Sequence, residues 1–325
     1  MRSTGSSKNG CRAMAVISAL SLSLLLAGTA AAQSVSDSAS SSPDMRTPDG
    51  TPVSLAAYAE NRKEFHYAIA NNGSVMLSDR SGNIAVKAVP GRHVTVVATI
   101  ISGADNVDVD SHPSTNGQRI EFHSHVINQT KGPQPRVDYE VQVPADVSVT
   151  IESGSGEVRL EGVRGIVEIE TESASVSVRK INNGSVQIQS VNGDVNLSDL
   201  SNMHVEVAST SGNIELYSVY GHHVDAKTTS GNIRYTGNFQ GSGEYTLRTH
   251  TGDVNVFLPF DSSIDLSASS VKGTVENDFP FEPTNHPSFS PKTSHANGLY
   301  EGTSKTGESK VKLRSFSGKI RVKKQ

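Results

Sequence analysis

Val205-Glu-Val207-Ala-Ser209-Thr-Ser211-Gly212-Asn213-Ile214-Glu-Leu216 is followed by Val224-Asp-Ala226-Lys-Thr228-Thr-Ser230-Gly231-Asn232-Ile233-Arg-Tyr235, and then by Tyr245-Thr-Leu247-Arg-Thr249-His-Thr251-Gly252-Asp253-Val254-Asn-Val256. Each copy is a segment of apolar and polar residues in alternation, a Ser/Thr-Gly-Asn/Asp corner, and a second alternating segment. Period two is the signature of half-buried strands, because successive side chains on a strand point to opposite faces.

The same phrase extends along the chain. Counting back from Gly212, apolar residues fall seven and five places earlier, at Val205 and Val207. That rule places Val75 and Leu77 before Gly82, Val149 and Ile151 before Gly156, Val167 and Ile169 before Ala174, and Val186 and Ile188 before Gly193. It holds again for Leu266 and Ala268 before Gly273, and for Val311 and Leu313 before Gly318. A third apolar place follows the second strand at Val89, Val163, Ile181, Leu200, Val219 and Phe239, often with a glycine close behind, as at Gly91, Gly165, Gly184, Gly221 and Gly241.

A unit with three inward places cannot cover its own apolar face, so it must stack on its neighbours. The expectation is an all-β chain folded as a single β-solenoid, similar to a parallel β-helix, with rungs of roughly 19–21 residues. Parallel strands about 4.8 Å apart would make the seven consecutive copies from Gly156 to Gly273 a rod on the order of 30 Å long. Gly82, Gly156, Gly193, Gly212, Gly231, Gly252, Gly273 and Gly318 are read as corner residues, chosen because a residue without Cβ reaches positive φ at low cost. Between Val97 and Pro144 alternation persists without the glycine rule, which predicts longer, antiparallel strands capping the N-terminal side of the stack. Residues 280–310, rich in Pro, Ser, Asn, Gly and Lys, read as a long loop before the last copy.

The first residues predict export. Arg2, Lys8 and Arg12 precede an apolar run from Ala13 to Ala27 and an Ala30-Ala31-Ala32 cleavage site, so residues 1–32 read as a signal peptide. The run is shorter than the roughly 20 residues a membrane-spanning helix needs, so no span is expected in the mature chain. Position 29 is Thr29 where a lipoprotein signal would carry cysteine. Residues 33–61, dominated at their start by Ser, Asp and Pro, read as a flexible linker, and residues 62–325 as the solenoid domain. The single cysteine, Cys11, lies in the leader, leaving the exported part without thiols or disulfides.

With the repeat laid out, the chain resembles the bacterial putative adhesin domain family, exported repeat proteins also described as a domain of unknown function. The resemblance rests on Val137-Asp-Tyr-Glu-Val-Gln-Val-Pro144-Ala-Asp-Val147 leading into the Ser155-Gly156-Glu157-Val158 turn. It continues through the Gly-Asn/Asp-Ile/Val turns at Gly193, Gly212, Gly231 and Gly252, and the closing Ser317-Gly318-Lys319-Ile320, and covers roughly Phe65 to Lys324. It implies an exported β-solenoid and interaction at the envelope or surface, and it supplies no catalytic, cofactor or ligand residues. Ala174, standing where the family pattern has glycine, is a departure.

Composition narrows the partners. A formal net charge of −4 gives no case for nucleic acid, which requires a concentrated basic face. Lys310, Lys312, Arg314, Lys319, Arg321, Lys323 and Lys324 are the local exception, read as the outer face of a terminal hairpin. They either protect an edge strand or, through Lys319, Arg321, Lys323 and Lys324, form a basic contact patch for membrane, polysaccharide or a partner protein. A glycan-cleaving β-helix is an alternative, but Glu206, Glu215, Asp225, Arg234 and Arg248 are scattered with both signs interleaved, and the chain has no Trp to serve as a sugar platform. Aligned corners place Asp194, Asn213, Asn232 and Asp253 in one column, suited to calcium or, better, to backbone hydrogen bonds. His123 and His125 share a strand face and could take zinc with His112 as third ligand, whereas His222 and His223 point to opposite faces. The reading is an exported, non-enzymatic solenoid without cofactor that presents extended faces to an envelope or surface protein or polysaccharide. The alternatives are a carbohydrate-active enzyme and an envelope-stress or signalling component that docks through the basic C-terminal hairpin.

Overall fold

In the computed structural model the described residues are 61–127, 134–239, 242–283 and 298–325. They all belong to one unit of the chain, Val53–Gln325. The predicted signal peptide, nearly all of the predicted linker, and Gly241 lie outside the described residues.

Alternation of apolar and polar residues is read out directly as burial. Val205, Val207, Ile214 and Leu216 are buried, whereas Glu206 and Glu215 between them are exposed. In chain order the strands are β1 (Arg62–Ala68), β2 (Ser74–Ser81), β3 (Ile84–Val89), β4 (His93–Ser102), β5 (Val107–Pro113), β6 (Arg119–Val126), β7 (Arg136–Pro144), β8 (Ser148–Ser155) and β9 (Glu157–Glu161). The central repeats supply β10 (Ile166–Thr171), β11 (Ser175–Ser190), β12 (Val195–Ser209), β13 (Ile214–Thr228), β14 (Ile233–Thr236), β15 (Glu244–Thr249) and β16 (Val254–Leu258). The last are β17 (Ile264–Ser270), β18 (Val275–Asn277), β19 (Glu282–Pro283), β20 (Leu299–Ser304), β21 (Ser309–Ser315) and β22 (Ile320–Lys324).

These strands build two parallel ladders over one core. The first, formed by the strands that precede each glycine corner, runs β6-β2-β8-β10-β11-β12-β13-β15-β21-β17. The second runs β7-β3-β9-β11-β12-β13-β14-β16-β22-β18. Long strands such as β11 and β12 serve both ladders, bending at the third side, where Val163, Ile181, Leu200 and Val219 are wholly buried. The solenoid expectation holds.

The order of the rungs departs from the order of the sequence at both ends. The C-terminal rung, β21 with β22, is not terminal: it lies between the Gly252 rung and the Gly273 rung. The expected seven consecutive copies therefore stop at Gly252. The basic C-terminal segment is neither a hairpin nor an edge, because β21 and β22 belong to different ladders and each is paired on both sides. At the other end, β6 and β7 form a tenth rung outside the Gly82 rung. The expected antiparallel cap is present there, with β5 on β6, β4 on β7, and β1 on β4.

Two further expectations are corrected. The segment 280–310 contains β20, which runs antiparallel along β17 and covers that end of the first ladder, with β19 beside it. Tyr300 on β20 is buried, and it gives this strand an apolar anchor. The corner glycines also owe their identity mostly to proximity rather than to positive φ. Of the eight, only Gly82 (φ 151°) and Gly156 (φ 119°) take positive φ. At Gly212, Gly231 and Gly252 an added Cβ would lie 1.9 Å from the carbonyl oxygen of the preceding rung's glycine, so each corner rests against backbone where a side chain would be. Left-handed backbone occurs instead at the bend before the third side, at Lys180 (φ 55°), Asp199 (φ 56°) and Ser218 (φ 51°).

Candidate functional site

The corners carry two ladders of polar side chains. Three residues before the glycines from Gly193 to Gly318 stands a buried hydroxyl: Ser190, Ser209, Thr228, Thr249, Ser270 and Ser315 each accept a hydrogen bond from the glycine amide at 2.8–3.1 Å. Several donate onward to the glycine carbonyl of the adjacent rung, as Thr249 does to Gly231 at 2.9 Å. One residue after the glycine stands the Asn/Asp column. Asp194 Oδ1 accepts from the Asn213 amide at 2.8 Å, Asn213 Oδ1 from the Asn232 amide at 3.0 Å, and Asn232 Oδ1 from the Asp253 amide at 2.9 Å. These oxygens stitch rung to rung, which is the hydrogen-bonding role expected of the column.

The column ends on the intercalated rung. Asp253 Oδ1 accepts from the Lys319 amide at 2.8 Å and Oδ2 from Arg321 at 2.9 Å. Burial works against the charged form, but these two donors hold the Asp253 carboxyl below the usual range. Arg321 also reaches Glu276 at 3.4 Å, so it links the rungs on either side of it. Of the expected basic contact patch, Arg321 is thus committed inside the stack. Lys319 and Lys323 are exposed, and the Lys324 ammonium lies 4.5 Å from the Phe260 ring centre.

The outer face of the first ladder is ruled into rows by in-register pairing. One row runs Ser78, Glu152, Glu170, Gln189, Ala208, Lys227, Arg248 and Arg314. It is acidic over the early rungs and basic over the late ones. Beside the acidic part is an open groove of about 860 Å³, whose lining includes Asp79, Ser124, Glu152, Glu170, Glu172 and Gln189. Glu206 and Asp225, the carboxylates singled out for a glycan-cleaving alternative, lie in register on adjacent rungs; Asp225 is held by Arg248 at 3.0 Å.

Asp79 occupies the place where every other copy has a hydroxyl. Ser124 donates to its Oδ1, Oδ2 makes no hydrogen bond, and the residue is 4% exposed. Burial pushes its carboxyl up to about 6, although the Ser124 hydrogen bond favours the charged form. An acid whose pKa is higher folded than unfolded contributes its full stability below the unfolded value, and that contribution is lost as pH rises through the folded value. Relative to pH 4, Asp79 therefore costs on the order of 2 kcal/mol at pH 7.5. Asp79→Asn is expected to match the unaltered chain in urea unfolding near pH 4 and to exceed it at pH 7.5 by about that amount. A difference independent of pH would contradict the assignment.

The histidines are arranged differently from the sequence expectation. His112 and His123 have ring centres 5.9 Å apart, and His123 and His125 5.6 Å, but these three do not bring their donor atoms together. Among the described residues, the donors that converge are those of His204, Glu206 and His223. His223 does point away from the face of His222, and its companion is across the ladder, where no pattern along one strand could show it.

A family model described as Toastrack DUF4097 matches residues 123–323. The chain belongs to this family. The Toastrack region takes in β7 to β21 whole, the second half of β6 and all of β22 but its last residue, and thus the glycine corners from Gly156 to Gly318 and the intercalated rung. The resemblance drawn from the repeat is sustained. Solved structures to which the chain is similar include a putative adhesin from Bacteroides fragilis NCTC 9343, at 12% identity over 81% of this chain and 97% of that one, with a TM-score of 0.42. Another is a putative adhesin from Parabacteroides merdae ATCC 43184, at 11% identity over 82% and 96%, with a TM-score of 0.38. A putative cell adhesion protein from Clostridium sporogenes ATCC 15579 matches at 10% identity over 81% and 100%, with a TM-score of 0.27. No curated protein matches. Among the described residues, no helix is long and apolar enough to cross a membrane.

Proposed function

We propose that this Toastrack chain is an exported, non-enzymatic domain that engages an envelope or surface partner, protein or polysaccharide, through the outer face of its first ladder. The observation that carries the reading is the register of that face. In ten stacked rungs, side chains at equivalent positions form continuous rows, and one row passes from Glu152 and Glu170 to Lys227, Arg248 and Arg314. At about 4.8 Å per rung the face is roughly 43 Å long, and its separated charges favour one orientation of an extended partner.

Co-sedimentation with the envelope fraction of the source cell, over a salt series, tests this. Lys227→Glu combined with Arg314→Glu is expected to weaken retention about tenfold or more at low salt, and Lys319→Glu with Lys323→Glu to leave it nearly unchanged. Loss confined to the Lys319/Lys323 pair would move the contact to the C-terminal lysines, the docking route of the signalling alternative. Retention indifferent to both pairs and to salt would sink the charged-face reading.

A further inference from the structure

The convergent histidines on the first ladder are the most specific chemical grouping on the surface. His204 pairs in register with His223 on the next rung, and Glu206 follows His204 by two places on the same face. The two imidazole rings are stacked 4.9 Å apart at 12°, and His204 Nε2 lies 3.0 Å from Glu206 Oε1. One donor atom from each of the three falls within 4.8 Å of the others.

The repeat period produces this alignment. Two register shifts bracket Met203, one between the Leu200–Val219 and Met203–Gly221 pairs and an opposite one before the His204–His223 pair, and they cancel. The 19-residue offset that pairs Leu200 with Val219 therefore also pairs His204 with His223. His222 instead meets Asn202 at 3.0 Å, on the Asn183-Asn202 side of the rung.

The neighbouring carboxylates identify which oxygen is available. Asp225, beside Glu206, is bound by Arg248, and Glu244, beside His223, is bound by Lys312 at 2.6 Å. Among the described residues, Glu206 has no Lys or Arg partner; its contact is His204. Two imidazoles and one uncommitted carboxylate, all at least partly open to solvent, are a donor set for a borderline divalent cation rather than for calcium, which takes oxygen ligands.

We propose that His204, Glu206 and His223 form a surface site for Zn²⁺ or a cation of its class. Tetrahedral zinc needs donors about 3.3 Å apart at bonds of about 2.0–2.1 Å, a closure reached by turning the exposed rings without moving the ladder. Three protein ligands leave a fourth position facing outward, open to water, an anion or a donor from a partner. The site does not depend on the charged-face reading above.

Titration of the full chain with ZnCl₂ by calorimetry, followed by thermal unfolding with and without zinc, tests the proposal. The unaltered chain is expected to bind one ion and to melt higher when zinc is present. His204→Ala and His223→Ala are each expected to weaken binding by about tenfold or more and to remove the zinc-dependent rise in Tm, with Glu206→Gln in the same direction. His123→Ala is expected to leave both readouts unchanged. Retention of binding in the His204→Ala/His223→Ala double variant, its loss in His123→Ala alone, or no binding by the unaltered chain would each overturn the assignment. Melting without zinc separates loss of the site from loss of the fold.

Discussion

Gly231→Ala is expected to leave the chain unfolded or nearly so, a loss of more than about 4 kcal/mol. The new Cβ would sit 1.9 Å from the Gly212 carbonyl oxygen and 2.9 Å from Thr228 Oγ1. The first of these is backbone fixed by its own rung, and it cannot swing aside as a flexible side chain can. Relief would require the rungs to separate locally, breaking the hydrogen bonds that Thr228 Oγ1 donates to the Gly212 carbonyl and the Asn232 amide donates to Asn213 Oδ1. The next corner would be disturbed as well, because Gly252 rests against the Gly231 carbonyl. On the outer face, Glu215→Val changes a larger side chain but meets no backbone, and its effect is expected to stay within about 0.5 kcal/mol. Urea unfolding of both variants measures the contrast, and similar midpoints would refute the close-packed corner.

Removal of residues 308–325 is expected to be as damaging, for a different reason. In a solenoid whose last copy is outermost, deletion exposes one interface. Here it would empty the space between the Gly252 rung and the Gly273 rung, exposing two. The missing rung buries Val311, Leu313, Ile320 and Val322. At roughly 1.5–3 kcal/mol per side chain these amount to about 6–12 kcal/mol, comparable to the whole stability of an ordinary domain. The hydrogen bonds of β15 and β16 on one side and of β17 and β18 on the other would be left unpaired as well. The shortened chain is expected to be insoluble or to lose its cooperative melt. A melt within a few degrees of the full chain would show that the flanking rungs close directly on each other.

The parts legible in the sequence are those set within a single rung. Which residues face inward follows from period two, and which corner is tight follows from the spacing to glycine. The order of rungs is not local: each copy offers the same apolar lining and the same unpaired strand edges, so any two copies can stack. Cues to the true order lie in the outward residues, in Lys312 against Glu244 and in Arg321 between Asp253 and Glu276, and these acquire meaning only once adjacency is known. The tenth rung was hidden because residues 127–135 separate its two strands where other rungs have a glycine corner. β20 was hidden among small and polar residues, with Leu299 and Tyr300 as its only large apolar members. Ala174 marks the limit of the glycine rule: the rung it follows turns at Gly156 with φ 119°, unlike the later corners.

The histidine grouping escaped the sequence because His204 and His223 are 19 residues apart and meet only through the register of adjacent rungs. The histidines that looked paired along one strand, His123 and His125, have His112, Glu121 and Asp110 near them, but no three of these donors converge. The charge change along this one row was likewise invisible: scattered along the chain, Glu152, Glu170, Lys227, Arg248 and Arg314 become a row only through register.

Methyl–methyl nuclear Overhauser contacts in the intact chain test the intercalated stack most directly, since adjacent rungs lie about 4.8 Å apart and next-nearest rungs about twice that. Cross-peaks are predicted between Leu247 and Leu313 and between Val254 and Ile320, with none between Leu247 and Ala268 or between Val254 and Val275. Strong cross-peaks of the second kind in place of the first would show a stack built in simple chain order, with the basic C-terminal strands on its outside.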